Sequence, residues 1–275
     1  MLIRVGCELR FEFVHPTPVV LMTYLHPCRQ PTVIGQETLK LSPAARVDEY
    51  FDSYGNRCGR LVAPAGLFTI QTEAVVDDCG LPDLQAPTAP QHLVQDLPAE
   101  TLLFLLPSRY CEVDSELKDA AWTLFGHFPP GWARVQAICD YVHNHVHFDY
   151  MQARNTRTAW DVFKERVGVC RDYMHLAITF CRCLNIPARY CTGYLGDIGV
   201  PLSDSPMDFS AWFEAYVGGQ WYFFDARNNT PRIGRVLMAR GRDAADVALT
   251  TIFGQNLLTG FQVWTDEVPP PGSTP

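Results

Sequence analysis

Gly168-Val169-Cys170-Arg171-Asp172-Tyr173-Met174-His175-Leu176-Ala177 opens a stretch that is apolar nearly all round to Leu184 and stops before Pro187. A segment with that pattern is a buried central helix, because the residue before a proline is driven out of helical geometry. Cys170 then stands at a helix N-terminus, where the helix dipole and unpaired backbone N–H groups favour thiolate, the nucleophilic form of cysteine. An ordinary thiol, with a pKa of ~8.5, is only a few per cent ionised at neutral pH. Making thiolate dominant takes ~2.5 pKa units, about 3.4 kcal/mol, of which a helix terminus supplies about 1–2. A neighbouring imidazolium normally supplies the rest. Taken alone, a cysteine that begins a core helix is more often structural than catalytic.

Downstream, Ser210 to Val217 and Gln220 to Asp225 flank Gly218-Gly219, a two-residue hairpin signal. Counting outward from that turn pairs Val217 with Gln220 and Trp212 with Asp225. Residue 210 then shares a face with Asp225 and lies diagonally from it, about 7–8 Å away. A histidine at 210 would be oriented by Asp225 as in a Cys-His-Asp triad. The residue there is Ser210, and no histidine follows His175.

Three ordered motifs carry a resemblance. They are Gly168 to Ala177, Asn185-Ile186-Pro187-Ala188-Arg189-Tyr190-Cys191-Thr192-Gly193-Tyr194, and Ala211-Trp212-Phe213-Glu214-Ala215-Tyr216 followed by Trp221 to Asp225. They resemble the bacterial transglutaminase-like core, in which the pattern reads G-x-C-x-D, I-P-A-R-x-x-x-G-Y, H-A-W-x-E and a strand ending in aspartate. The match covers roughly residues 100 to 260, and the β-rich start is similar to the region that bacterial members carry ahead of the core. The resemblance implies an α+β, papain-like fold. It also implies Cys170 as nucleophile and Asp225 as orienter, with Ser210 replacing the base.

The function expected on this basis is thiol acyl transfer or amide hydrolysis through a Cys170 thioester. The substrate is a peptide or protein carboxamide, with water or an amine as acceptor, and no cofactor is expected. Serine cannot hold a proton reversibly near neutral pH, and general acid–base catalysis is worth about 10²–10⁴ in rate. A catalytically impaired descendant that binds a peptide or partner is therefore the alternative. Trp212, Asn228, Asn229, Tyr150 and Trp160 are candidate binding residues. The backbone N–H of Cys170 is the candidate oxyanion donor, with Tyr150 or Trp160 as a second. His175 lies five residues along the helix, rotated about 140° from Cys170, and reads as a buried core histidine. His143, His145 and His147 alternate and would share one face of a strand, so a metal-binding reading with Cys139 is a further alternative.

Outside this core, Val5, Cys7, Leu9, Phe11 and Phe13 alternate with Arg4, Gly6, Glu8, Arg10 and Glu12, the signature of a half-buried strand. Phe68, Ile70, Ala74 and Val76 repeat it, and Ser53-Tyr54-Gly55-Asn56 is a turn between such stretches. The expected organisation is a β domain over 1–79, a proline-bearing linker over 80–99 and the core over 100–275. Helices are expected from Asp114 or Ser115 through Leu124 and along the Trp132, Val135, Ile138, Cys139, Val142 stripe.

A net charge of −8 argues against general nucleic-acid binding. The five arginines from Arg227 to Arg242 read as a solvated surface first and an anion site second. No apolar run approaches the ~20 residues of a membrane span, and Met1-Leu2-Ile3-Arg4 lacks a secretory apolar stretch, so a cytoplasmic protein is expected. The ten cysteines are scattered without a Cys-x-x-Cys pair, as reduced buried hydrophobes are.

Overall fold

The computed structural model describes residues 1–202 and 206–269. The chain begins with six strands: β1 (Leu2–Phe13), β2 (Thr17–Leu21), β3 (Val33–Ser42), β4 (Asp48–Phe51), β5 (Arg57–Ala63) and β6 (Gly66–Asp77). The alternation expected for β1 is present, with Ile3, Val5, Cys7, Leu9, Phe11 and Phe13 all buried. They share one core with Val19, Leu21, Leu61, Phe68 and Ile70, so two sheets close on each other. The turn at 53–56 joins β4 to β5, with Gly55 at φ +78°.

Residues 80–98 form an irregular crossing with a 3-10 turn at Val94–Asp96, but are held to the rest of the chain. Asp83 accepts from the Arg232 backbone and from Arg235, Ala89 O accepts from Trp132 N, and Pro90 O accepts from Gly218 N. Gly131, at φ +109°, passes so close that a Cβ would lie 2.2 Å from Ala89 O.

Five helices follow: α1 (Ala99–Leu102), α2 (Leu117–Phe125), α3 (Trp132–His145), α4 (Ala159–Glu165) and α5 (Cys170–Cys183). The expected stripe on α3 is wholly buried. In α5 every residue from Asp172 to Cys183 is buried, and α2, α3 and α4 pack around it. Met174, Leu176, Ile178 and Phe180 are fully enclosed, each stabilising the fold by about 1.5–3 kcal/mol relative to exposure. The short strands β7 (His147–Phe148) and β8 (Val167–Gly168) pair in parallel and lead the chain to the start of α5.

Against α5 lies an antiparallel sheet of β9 (Ala188–Tyr194), β10 (Ser210–Val217), β11 (Gln220–Phe224) and β12 (Val236–Gly241), ordered β11-β10-β9-β12. The hairpin register runs from Val217↔Gln220 to Phe213↔Phe224, as the Gly-Gly turn predicts, and places Asp225 just beyond the paired strand. Ala211, Phe213, Ala215 and Val217 face the α5 core, while Trp212 belongs to a small cluster with Cys191 and Leu237.

The chain then returns to where it began. Strand β13 (Thr250–Ile252) pairs with β2, and β14 (Asn256–Val268) pairs with β1 from Phe13↔Asn256 to Leu2↔Val268. The two sheets of the β unit are therefore β14-β1-β6-β3 and β13-β2-β5-β4. Residues 250–268, grouped with the core by the sequence reading, complete the β unit instead. Gly6 shows why the fit is specific: a Cβ there would lie 2.3 Å from Thr72 O and 2.4 Å from the Trp264 ring. His143 to His147 also depart from expectation. Helix α3 continues to His145, because Val142 still faces the core, so these imidazoles share no strand face.

Candidate active site

The motif around Cys170 is explained by how α5 starts. The Asp172 carboxylate folds back so that Oδ2 accepts from Val169 N at 3.0 Å and from Arg157 Nη1 at 3.1 Å. This places an acid at the positive end of the helix and satisfies one of its free N–H groups. Gly168 is needed for the fold-back, since a Cβ there would lie 2.6 Å from the Asp172 Cβ. Asp172 and Arg157 are 0 % and 1 % exposed, so the pair is dry.

Cys170 is half-buried and opens on a cavity of about 600 Å³ that Tyr190, Thr192, Asp208 and Ser210 also line. Burial pushes its thiol up to about 11. The Arg227 guanidinium and the Arg171 backbone N–H act the other way, and Asp208 and Asp172 add to the rise. No imidazole is among these groups. Desolvation thus outweighs the Arg227 guanidinium and the Arg171 N–H, and the thiol is neutral at physiological pH.

Ser210 begins β10 and also lines a second cavity, about 270 Å³, with Tyr150, Asp208, Arg227 and Asn228. Asp208 shares both cavities. Burial raises its carboxyl, Phe209 N donates to Oδ1 at 2.7 Å, and the Tyr150 hydroxyl hydrogen-bonds it. Arg227 rests 4.0 Å over the Phe148 ring, and its carbonyl accepts from His143 Nδ1 at 2.8 Å.

Asp225 is 6 % exposed and fully engaged. Oδ1 accepts from Arg227 N (3.1 Å) and Asn228 N (2.9 Å), and Oδ2 from Asn228 Nδ2 (2.8 Å) and Arg235 Nη2 (3.1 Å). Four donors fill the sites a carboxylate offers. Asp225 therefore meets the cavities through Arg227 and Asn228. Asn229 is turned away, with Nδ2 donating to Asp140.

The structure thus brings Cys170, Ser210, Tyr150 and Asn228 to two adjoining cavities, with Asp225 behind Asn228. It does not bring Trp212 or Trp160 there. Trp212 is fully buried on the other side of the sheet, and Trp160 stacks on Phe163. His175 is a buried core histidine stacked on Tyr110. Its Nε2 accepts from Ala244 N, and burial lowers its pKa well below the usual range. His145 Nε2 donates to Phe163 O, and among the described residues no group of three His, Cys, Asp or Glu could hold a metal. The arginines of 227–242 are not a solvated surface: Arg232 and Arg235 are buried, and Arg240 and Arg242 pair with Glu214 and Asp246.

Two residues went unread in the sequence. Asp208 had no signal beyond its place two residues before Ser210, just ahead of β10. Arg227 had none beyond its place in the arginine cluster.

The transglutaminase-like superfamily core matches residues 126–226. A Cytophaga hutchinsonii crystal structure described as a "Putative Cysteine Protease" is 32% identical, with a TM-score of 0.85 over 99% of this chain and 92% of that one. "Uncharacterized protein ML0607" of Mycobacterium leprae is 33% identical over 95 residues, and this match spans 32% of each protein. "Uncharacterized protein Rv2569c" of Mycobacterium tuberculosis is 28% identical over 80% of this chain and 75% of its own length. The chain belongs to the transglutaminase-like superfamily, with a papain-like α+β core. Among the described residues no helix is long and apolar enough to cross a membrane.

Proposed function

We propose that this chain uses a transglutaminase-like cleft to bind a peptide carboxamide and lacks the base that would turn it over at an enzyme's usual rate. The observation that carries this reading is the state of Asp225. An orienting carboxylate must leave an oxygen free for an imidazole, and here Asn228 and Arg235 occupy Oδ2 while two backbone donors occupy Oδ1. The neutral Cys170 thiol supports it. A second reading is slow acyl transfer with Asp208 as proton acceptor, favoured by its place on the wall of the Cys170 cavity. A carboxylate is a far weaker base than a thiolate held near 11, so that route is steeply uphill.

Hydroxamate formation from benzyloxycarbonyl-Gln-Gly and hydroxylamine tests both readings. The natural protein should turn over well below the enzyme range of about 1 s⁻¹ and above. Ser210→His alone should add little, because Asn228 holds the oxygen the imidazole needs. Ser210→His with Asn228→Gly should raise the rate by about 10²-fold or more. Turnover above about 1 s⁻¹ by the natural protein, or full rescue by Ser210→His alone, would refute the binding-only reading. Loss of a slow natural rate in Asp208→Asn would favour the second.

A further inference from the structure

The smaller of the two cavities at the site, about 270 Å³, is lined by four charged side chains: Asp197, Asp208, Arg227 and Arg232. Arg232 pairs with Asp197 at 3.8 Å and also donates through Nη2 to Gly196 O at 2.8 Å. The other two, Asp208 and Arg227, form no ion pair among the described residues. Opposite charges facing one partly desolvated space attract strongly at short range, so two that stay unpaired are being held apart.

Each is held by a support of its own. The Arg227 guanidinium lies 4.0 Å over the Phe148 ring, and the Arg227 backbone is tied to Asp225 and His143. Stacking uses the flat face of the guanidinium and leaves its N–H donors without a hydrogen bond to any described residue. Asp208 Oδ1 accepts from Phe209 N at 2.7 Å, and the Tyr150 hydroxyl hydrogen-bonds the same carboxylate. Burial still outweighs those two bonds and the attraction of Arg227, so the Asp208 carboxyl stays above its ordinary range. Its negative charge is under-compensated. The Ser210 hydroxyl, in the same wall, also has no partner among the described residues.

We infer that this cavity binds a free α-amino acid, with its ammonium against Asp208 and its carboxylate against Arg227. The guanidinium fork matches carboxylate geometry, and the ammonium supplies the cation that Asp208 lacks. One carbon carries both charges of such a ligand, which suits a cavity just below the roughly 300–1,000 Å³ of drug-sized sites. Leu195, Met207 and Phe209 in the wall offer apolar surface to a short side chain. Nothing in this ligand calls on the carboxamide reading of Cys170, since both of its charges are met in the adjoining space.

Calorimetric titration of the full chain with L-leucine, N-acetyl-L-leucine and L-leucinamide tests the inference. The second lacks the ammonium and resembles the C-terminus of a peptide; the third lacks the carboxylate and resembles an N-terminus. L-Leucine should bind about ten-fold or more tightly than either, the usual worth of a hydrogen bond to a charged group. Arg227→Gln should weaken L-leucine about ten-fold and leave L-leucinamide nearly unchanged, whereas Asp208→Asn should weaken L-leucine and spare N-acetyl-L-leucine. If either variant fails to fold, the three ligands on the natural protein still decide. Equal affinity for L-leucine and either analogue, no binding of L-leucine, or undiminished binding by a folded variant would each overturn the inference. Binding of benzyloxycarbonyl-Gln-Gly by a protein that ignores L-leucine would overturn it too, while leaving the carboxamide reading in place.

Discussion

Two carboxylates close the two halves of the site, Asp172 at the start of α5 and Asp225 at the end of β11, and they have nearly the same surroundings. Each is buried, each is paired with a buried arginine, and each accepts backbone N–H groups of its own turn. Family resemblance implies different roles for them, one capping a helix and the other orienting a base. Their hydrogen bonds show no such division. Asp225 is held as a structural carboxylate is held, and the free oxygen that would mark an orienter is filled by Asn228.

Arg157→Ala should break the likeness most severely. It leaves Asp172 buried with only the partly exposed Arg171, 3.4 Å away, as a cationic partner, and losing one partner of a buried pair costs about 3 kcal/mol or more. Denaturant unfolding should show that loss. Asp225→Ala should cost less, about 2–3 kcal/mol, because Arg235 keeps Asp83 as a partner. It should not slow Cys170 alkylation. Slower alkylation at unchanged stability would restore Asp225 as an orienter.

Next in size is the reactivity of Cys170 itself. With the thiol raised from an ordinary 9.0 to about 11, thiolate at neutral pH is about 100-fold scarcer than in a free thiol. The higher intrinsic reactivity of a more basic thiolate returns part of this, leaving iodoacetamide labelling about ten-fold slower at pH 7. Site-resolved mass spectrometry should show the rate still rising above pH 10. A plateau near pH 6–7 would mean a poised thiolate.

The smallest effect is on acid stability. His175 is buried in its neutral form, so its folded pKa is depressed and the unfolded chain binds the extra proton. Its contribution is present above about pH 6.5 and is lost as pH falls, by at most about 1.4 kcal/mol per unit. His175→Gln should flatten the unfolding free energy between pH 6.5 and 4.5. An unchanged slope would place the acid sensitivity elsewhere.

Much of the fold was legible because short-range rules govern it. The alternation of β1, the α3 stripe and the Gly-Gly register each follow from neighbours within a few residues, and all three are present. The return of β13 and β14 was not legible, since nothing local distinguishes a strand that pairs with β2 or β1 from one that extends the nearer sheet. The run from His143 to His147 misled because a period of two fits a strand, whereas Val142 and the burial of α3 decide for a helix. In the site, Cys170, Ser210 and Asp225 could be picked out by motif. The saturation of Asp225 could not, because it depends on Arg235, which arrives from the far side of a turn. Trp212 was misplaced because it covers the sheet face away from α5, and Trp160 because it sits on α4 and stacks on Phe163, and nearness to a motif distinguishes neither.

The pairing of β14 with β1 bears on how this protein is made. On a ribosome β1 emerges with one flank of backbone donors and acceptors open, and its partner β14 follows some 240 residues later. At roughly 5–20 residues per second that interval is on the order of ten to fifty seconds, during which β1 is an edge open to mispairing. Charged Arg4, Glu8, Arg10 and Glu12 along the strand are the kind of residues that discourage such contacts. Nascent chains stalled before residue 256 should therefore be more protease-sensitive in β1 than released protein.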